Sequence, residues 1–248
     1  MTTPNALDSF LDKWRSRWPE WSLAEVFVAQ PDRARTIAWF SLLQEFDDIL
    51  NVGGDPLPAD AKLAWWATEL RDWAGRRSRH PLGRLLEPVP APWAALADAL
   101  PVLVAARARP VDGEAALATL SAYAEAVAAV EAQVLGGNRP APRALAAQVL
   151  ATRLADIDAL ALPQRYEHGT GEGADAGEDA RRAWAQDLLG HWPAQAGAAR
   201  ARRMYAGFAR HRLQRLAATG TAQAGIPRTG PGALGALWRT WRAASGGS

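Results

Sequence analysis

Two adjacent aspartates, Asp47 and Asp48, stand near the end of an otherwise apolar run, LLQEFDDILNVGGD at residues 42–55. Carboxylates in a helix's last turns face its negative pole and cost roughly a few tenths of a kcal/mol, so their presence there asks for compensation. On a helix, Gln44, Asp47, Asp48 and Asn51 are related by steps of three, four and seven residues, which gathers their polar groups along one face. Leu43, Phe46, Ile49 and Leu50 turn to other sides and supply packing. Carboxylate oxygens in such a grouping suit a hard cation. Magnesium takes oxygen ligands, keeps several waters and commonly bridges to a substrate phosphate. A merely solvated acidic helix end is the competing reading, and spacing alone leaves both open.

Holding such a face toward a cleft takes a helical framework, and the chain supplies one. Almost every segment repeats apolar residues at intervals of three and four, with no sustained alternation bounded by turn residues, so the pattern predicts an all-α protein. Expected helices run roughly over 5–16, 22–30, 32–51, 58–78, 91–107, 113–135, 142–160, 179–190, 194–218 and 231–243. Pro31 and Pro58 suit first-turn positions, and Asp112 is a plausible N-cap. NVGGDP and LGGNRPAP read as helix ends with turns. The acidic, glycine-rich stretch EHGTGEGADAGED has almost nothing to bury and is expected to be a mobile loop over 167–179.

With 248 residues, 49% of them hydrophobic, and no repeat or long linker, a single domain over 1–248 is expected. The sequence pI near 9.4 overstates its basicity, because the formal net charge is only +2, and no nucleic-acid surface follows. Cysteine is absent, which excludes disulfides and thiolate metal sites. The first residues lack a basic region followed by an apolar core, and the most apolar later stretch, 91–106, is too short to span a bilayer and carries Asp98. A cytoplasmic protein is the expectation. The basic helix over 194–218, with Met204, Tyr205, Phe208 and Leu216 against an arginine-rich arc, offers peripheral contact with anionic lipid as one reading and an ordinary packed helix as the other.

EFDDILNV resembles the first aspartate-rich motif of squalene and phytoene synthases, in which two adjacent aspartates are followed three residues later by a third. Asp47 and Asp48 match the pair, Asn51 replaces the third aspartate, and Gln44 stands where that family usually has arginine. KLAWWATELRDWAGRRSRHPLGRLL is similar to a bacterial segment of the same superfamily in which a helix is followed by a short loop and HP. LSAYAEAVAAV and RRMYAGF resemble two further helices of the family, so Tyr123, Arg203 and Tyr205 match substrate-binding positions, and Arg228 matches a later arginine.

The resemblance implies a helical bundle of the isoprenoid synthase type with a central cavity, lined by the helices over 32–51, 58–78, 113–135 and 142–160. It also implies Mg2+ held by Asp47, Asp48 and Asn51, a prenyl diphosphate or isoprenoid lipid as ligand, and head-to-head prenyl transfer as the chemistry. RALAAQVLATRLADIDALALPQRY departs from this pattern. The family's second acidic motif has two aspartates four apart with an asparagine and arginine just before them, whereas Arg153 stands near the asparagine position and Asp156 and Asp158 are two apart. That places the latter pair about 200° apart around a helix, unable to form one chelating face. The departure implies a retained fold with impaired or altered chemistry. A non-catalytic relative that acts on a protein partner is the alternative.

Two aromatic features remain. Leu63, Trp66, Leu70 and Trp73 form an apolar stripe that reads as core, whereas Lys62, Trp65, Glu69, Asp72 and Arg76 form a mixed one that either lines a cleft or faces solvent. His80, before Pro81, reads as a turn residue.

Overall fold

Helix α3, Gln30–Leu50, is the element around which the others are arranged. Pro31 lies in its first turn, where a missing N–H costs nothing. Every residue from Thr36 to Asp47 is buried, as are Ile49 and Leu50. A helix without a solvent face belongs in the middle of a fold, and α3 is met on its several sides by α1 (Ala6–Arg17), α4 (Leu57–Ala74), α5 (Gly83–Leu86), α7 (Val102–Ala105), α9 (Ser121–Val134) and α10 (Pro142–Ile157). Outside this layer α11 (Ala174–His191) and α12 (Arg200–Thr219) pack on each other and on α10. The remaining helices are α2 (Trp21–Ala24), α6 (Trp93–Ala99) and α8 (Gly113–Thr119). The computed structural model describes residues 6–157, 161–166, 174–192 and 198–220. Among these the fold is all-α, with one isolated bridge between Asn138 and Ala198.

The expected helices over 32–51 and 142–160 are present nearly as drawn, and several others are broken. Pro101 divides the span 91–107 into α6 and α7, since its ring removes the N–H that a continuous helix needs. The span 113–135 is bent by 53° between α8 and α9 around Leu120. Asp112 caps α8 as expected, its carboxylate accepting from Ala115 N at 2.8 Å. The expected loop over 167–179 needs correction, because α11 already begins at Ala174. The acidic residues Glu178 and Asp179 fall in its first two turns, where carboxylates suit the helix's positive end. Residues 167–173, and the expected helix over 231–243, lie outside the described residues.

Tryptophan dominates the interior. Trp14, Trp21, Trp39, Trp66, Trp73 and Trp93 are all fully buried, and Trp66, Trp73, Trp93 and Trp39 follow one another edge to face at centroid distances of 5.1–6.3 Å. The mixed stripe of α4 has a structural use. Glu69, 0% exposed, accepts from Trp73 Nε1 at 2.9 Å and from the backbone N–H groups of Arg79 and His80 at 2.6 and 2.7 Å, which pins the turn after α4. Burial opposes its charge, yet these bonds outweigh that and hold its pKa below the usual value. His80 closes the same turn by accepting from Leu82 N at 3.2 Å, and it packs against Phe10 and Trp66. Its desolvation brings the imidazole pKa down to about 4. Gly83 is required just beyond, since a Cβ there would lie 2.4 Å from Ser78 Cβ.

One ion pair joins the outer helices to the centre. Arg202 of α12 and Glu131 of α9 are each about 1% exposed, and Arg202 Nε reaches Glu131 Oε1 at 2.7 Å. Trp39 Nε1 and Gln148 Oε1 complete the polar set, at 2.7 Å from Glu131 and 3.1 Å from Arg202. Breaking a buried pair leaves one charge uncompensated, whereas replacing both partners with apolar groups removes the problem. Arg202→Met is therefore expected to lower unfolding free energy by about 3–5 kcal/mol in urea titrations, and adding Glu131→Leu to recover most of that loss.

Candidate functional site

The carboxyl end of α3 holds the acids, and two arginines answer its unsatisfied carbonyls. Arg153 of α10 donates to Leu50 O at 3.1 Å, and Arg107 donates to Ile49 O at 3.0 Å. These are the orphan acceptors of a last helical turn, and cationic donors there offset the helix's negative pole. Arg153 also reaches Arg107 O at 3.0 Å and Asn51 Oδ1 at 3.4 Å. Arg153 thus acts as a cap on the end of α3.

Each acid of the motif meets a different environment. Glu45 is buried between Lys13 Nζ at 2.9 Å and Lys62 Nζ at 2.5 Å. Burial alone would raise its pKa, but the two lysine hydrogen bonds prevail and lower it. Asp48 is half-buried, with Gln44 Nε2 at 3.0 Å, Lys13 Nζ at 3.3 Å and Arg17 Nη1 at 3.3 Å. The other guanidinium nitrogen of Arg17 reaches Asp156 Oδ2 at 2.7 Å, so one arginine bridges the acids of α3 and α10. Asn51 Nδ2 lies 3.4 Å from that same Asp156 oxygen.

Asp47 turns the other way. Adjacent helical residues point about 100° apart, so while Gln44, Asp48 and Asn51 meet Trp18, Lys13, Arg17 and Asp156, Asp47 faces inward and is 7% exposed. There it lines a small cavity of about 20 Å³ together with Tyr123, Gln148, Arg202 and Tyr205, space for about one water. Burial, then the charges of Asp156 and Asp48, hold its pKa well above the ordinary carboxylate range, against the pull of Arg17 and Arg202. Burial likewise raises the phenols of Tyr123 and Tyr205.

The larger cavity, about 250 Å³, opens one turn along α10 and α12. Its floor is Ala151, Ala155, Ala209, Leu213 and Leu216, and its polar rim is Arg17, Gln44, Thr152, Asp156 and Arg212. Arg212 grips Glu20 at 2.7 and 2.8 Å, donates to Arg17 O at 2.9 Å and lies 3.9 Å above the Trp18 ring. The walls therefore come from α1, α3, α10 and α12. The helices over 58–78 and 113–135, expected to line it, do not; α9 borders only the inner cavity, through Tyr123, Ala124 and Val127.

Of the expected ligand-binding residues, Tyr123 and Tyr205 meet at the inner cavity beside Asp47. Arg203 lines neither cavity and donates to Ala198 O at 2.5 Å, so the arginine facing the site is its neighbour Arg202. Helical phase carries the signal, since 202, 205 and 209 share a face. Arg17, Lys13 and Arg212 went unforeseen; the step of four between Lys13 and Arg17 was their one local trace. Arg228 and Asp158 lie outside the described residues.

As placed, the donor set does not fit Mg2+. Asp47 points inward to the small cavity, Asp48 and Asp156 share a guanidinium, and Asn51 takes a bond from Arg153. Among the described residues no three His, Cys, Asp or Glu side chains are grouped to hold a metal ion. Nor is any single described helix long and apolar enough to cross a membrane.

No family model and no curated protein matches the chain. Among solved structures it is similar to squalene synthase HpnC from Alicyclobacillus acidocaldarius, with 15% identity and a TM-score of 0.49, over 98% of this chain and 93% of that one.

The raised pKa of Asp47 fixes a pH dependence. Below the carboxyl's ordinary pKa both folded and unfolded chains hold the proton, and the group leaves stability unchanged with pH; above it the unfolded chain releases the proton first, so stability falls as pH rises. Asp47→Asn keeps the shape and removes the titration. Its melting temperature, compared with the wild type above the ordinary carboxyl pKa, is expected to show a stabilising difference that grows as pH rises toward the raised pKa of Asp47 and then levels off.

Proposed function

We propose that this chain binds a single isoprenoid chain, as a relative of the squalene and phytoene synthases that does not couple two prenyl groups. The observation that carries this reading is the larger cavity, whose lining combines apolar side chains with a few polar ones. That arrangement suits a ligand with a greasy body and one polar terminus. At about 250 Å³ the cavity falls just below the roughly 300–1,000 Å³ of small-molecule sites, room for one chain and not for two. The match of Asp47, Asp48, Tyr123 and Tyr205 to the family's motifs supports the isoprenoid class. Head-to-head transfer needs a leaving diphosphate stabilised by metals or unpaired cations, and the rim cations are paired with Asp48, Asp156 and Glu20.

The test is titration of the purified protein with farnesyl compounds, read by native mass spectrometry and by quenching of tryptophan emission, since Trp18 lines the cavity. One equivalent is expected to bind. Ala155 is exposed and lines the cavity, so Ala155→Trp should fill it and weaken binding about tenfold or more, about 1.4 kcal/mol, with the circular dichroism unchanged. Failure of every farnesyl compound to bind would overturn the reading, and squalene or phytoene formation would overturn its non-coupling part.

A further inference from the structure

We propose that the larger cavity selects an uncharged ligand ending in a hydrogen-bond donor, such as an alcohol, and takes it without a divalent cation, because Arg17 already stands where such a cation would join Asp48 to Asp156. This rests on the reading that the cavity binds an apolar chain.

The first support is the state of the cations. The two cations that line the cavity are already paired, Arg17 with Asp48 and Asp156 and Arg212 with Glu20. Arg17 spans both acids with separate nitrogens, the planar fork suited to bridging carboxylates. Both oxygens of Asp48 are engaged, one by Arg17 and Gln44 and the other by Lys13. A divalent ion entering here would meet Arg17 and Lys13 first. A diphosphate would face Asp156 with no spare positive charge, and would have to displace an existing partner to gain one.

The second support is what the rim offers. Arg17 and Asn51 both reach Oδ2 of Asp156, leaving Oδ1 able to accept. Thr152 gives its hydroxyl proton to Gln148 O at 3.1 Å, so its oxygen keeps lone pairs for a donor from the cavity. Gln44 is committed on both sides, accepting from Trp18 Nε1 at 3.3 Å and donating to Asp48. Asp156 and Thr152 thus offer acceptors to a ligand hydroxyl, while the charges of the lining guanidiniums, Arg17 and Arg212, are already balanced by carboxylates. A ligand hydroxyl meets these acceptors directly, whereas a phosphate would have to compete with Asp48, Asp156 and Glu20 for the guanidinium charges.

Calorimetry with farnesol and with farnesyl diphosphate, each with and without magnesium, tests this. The wild type is expected to bind farnesol about tenfold or more tightly than the diphosphate, about 1.4 kcal/mol, with magnesium changing neither. Arg17→Gln should free Asp48 and Asp156, so that Mn2+ or Mg2+ raises its melting temperature while leaving the wild type's unchanged. A second variant, Asp156→Asn, should narrow the preference for farnesol. Magnesium-dependent binding of the diphosphate tighter than that of farnesol, saturable magnesium stabilisation of the wild type, or an Arg17→Gln protein indifferent to both metals would each overturn the proposal. If neither farnesyl compound binds, the isoprenoid reading fails, and the metal titrations still decide the role of Arg17.

Discussion

Three carboxylates, Glu45, Asp47 and Asp48, lie in the last two turns of a helix that is buried on all sides, and the surrounding structure answers that electrostatic burden. The negative pole of α3 and its acids repel one another, and water is largely excluded. Arg153 and Arg107 bond the terminal carbonyls, Lys13 and Lys62 enclose Glu45, Arg17 meets Asp48, and burial raises the pKa of Asp47. The compensating groups come from α1, α4, α10 and the segment after α7, so the same charges that burden α3 also tie distant parts of the chain to it.

That compensation shapes the candidate site. A cluster of acids left open would invite a cation, but here the neutralising charges belong to the protein. The cations of the larger cavity's rim are paired with Asp48, Asp156 and Glu20 before any ligand arrives, and the inner cavity beside Asp47 is lined by two tyrosines and by Arg202, itself held by Glu131. Selectivity then falls to shape and hydrogen bonding, the terms that discriminate when net electrostatic attraction is weak.

Much of this architecture could be read from local pattern. The three- and four-residue periodicity announced an all-α chain, and the apolar run 32–51 announced α3, because helix existence depends on neighbours within a turn or two. The break at Pro101 was marked by its own residue and still passed over, since a proline can also start a helix. The site was less legible. Grouping Asp47 with Asp48 on one face treated a 100° step as negligible, although it turns Asp47 into a buried cavity and Asp48 toward Lys13 and Arg17. The Arg17–Asp156 contact spans 139 residues of chain, beyond any local pattern. The choice between Arg202 and Arg203 was decidable, because the buried Tyr205 and Ala209 set the phase of α12.

The anchoring of Glu69 also bears on how this chain tolerates changes of length. Loops commonly accept inserted or deleted residues because their backbone bonds go to water. Between α4 and α5 the backbone N–H groups of Arg79 and His80 end on a carboxylate inside the core, and Gly83 then passes Ser78 at a separation no side chain permits. The segment works as a ruler: one residue more would carry the wrong N–H to Glu69, and one fewer would set another side chain where only glycine fits.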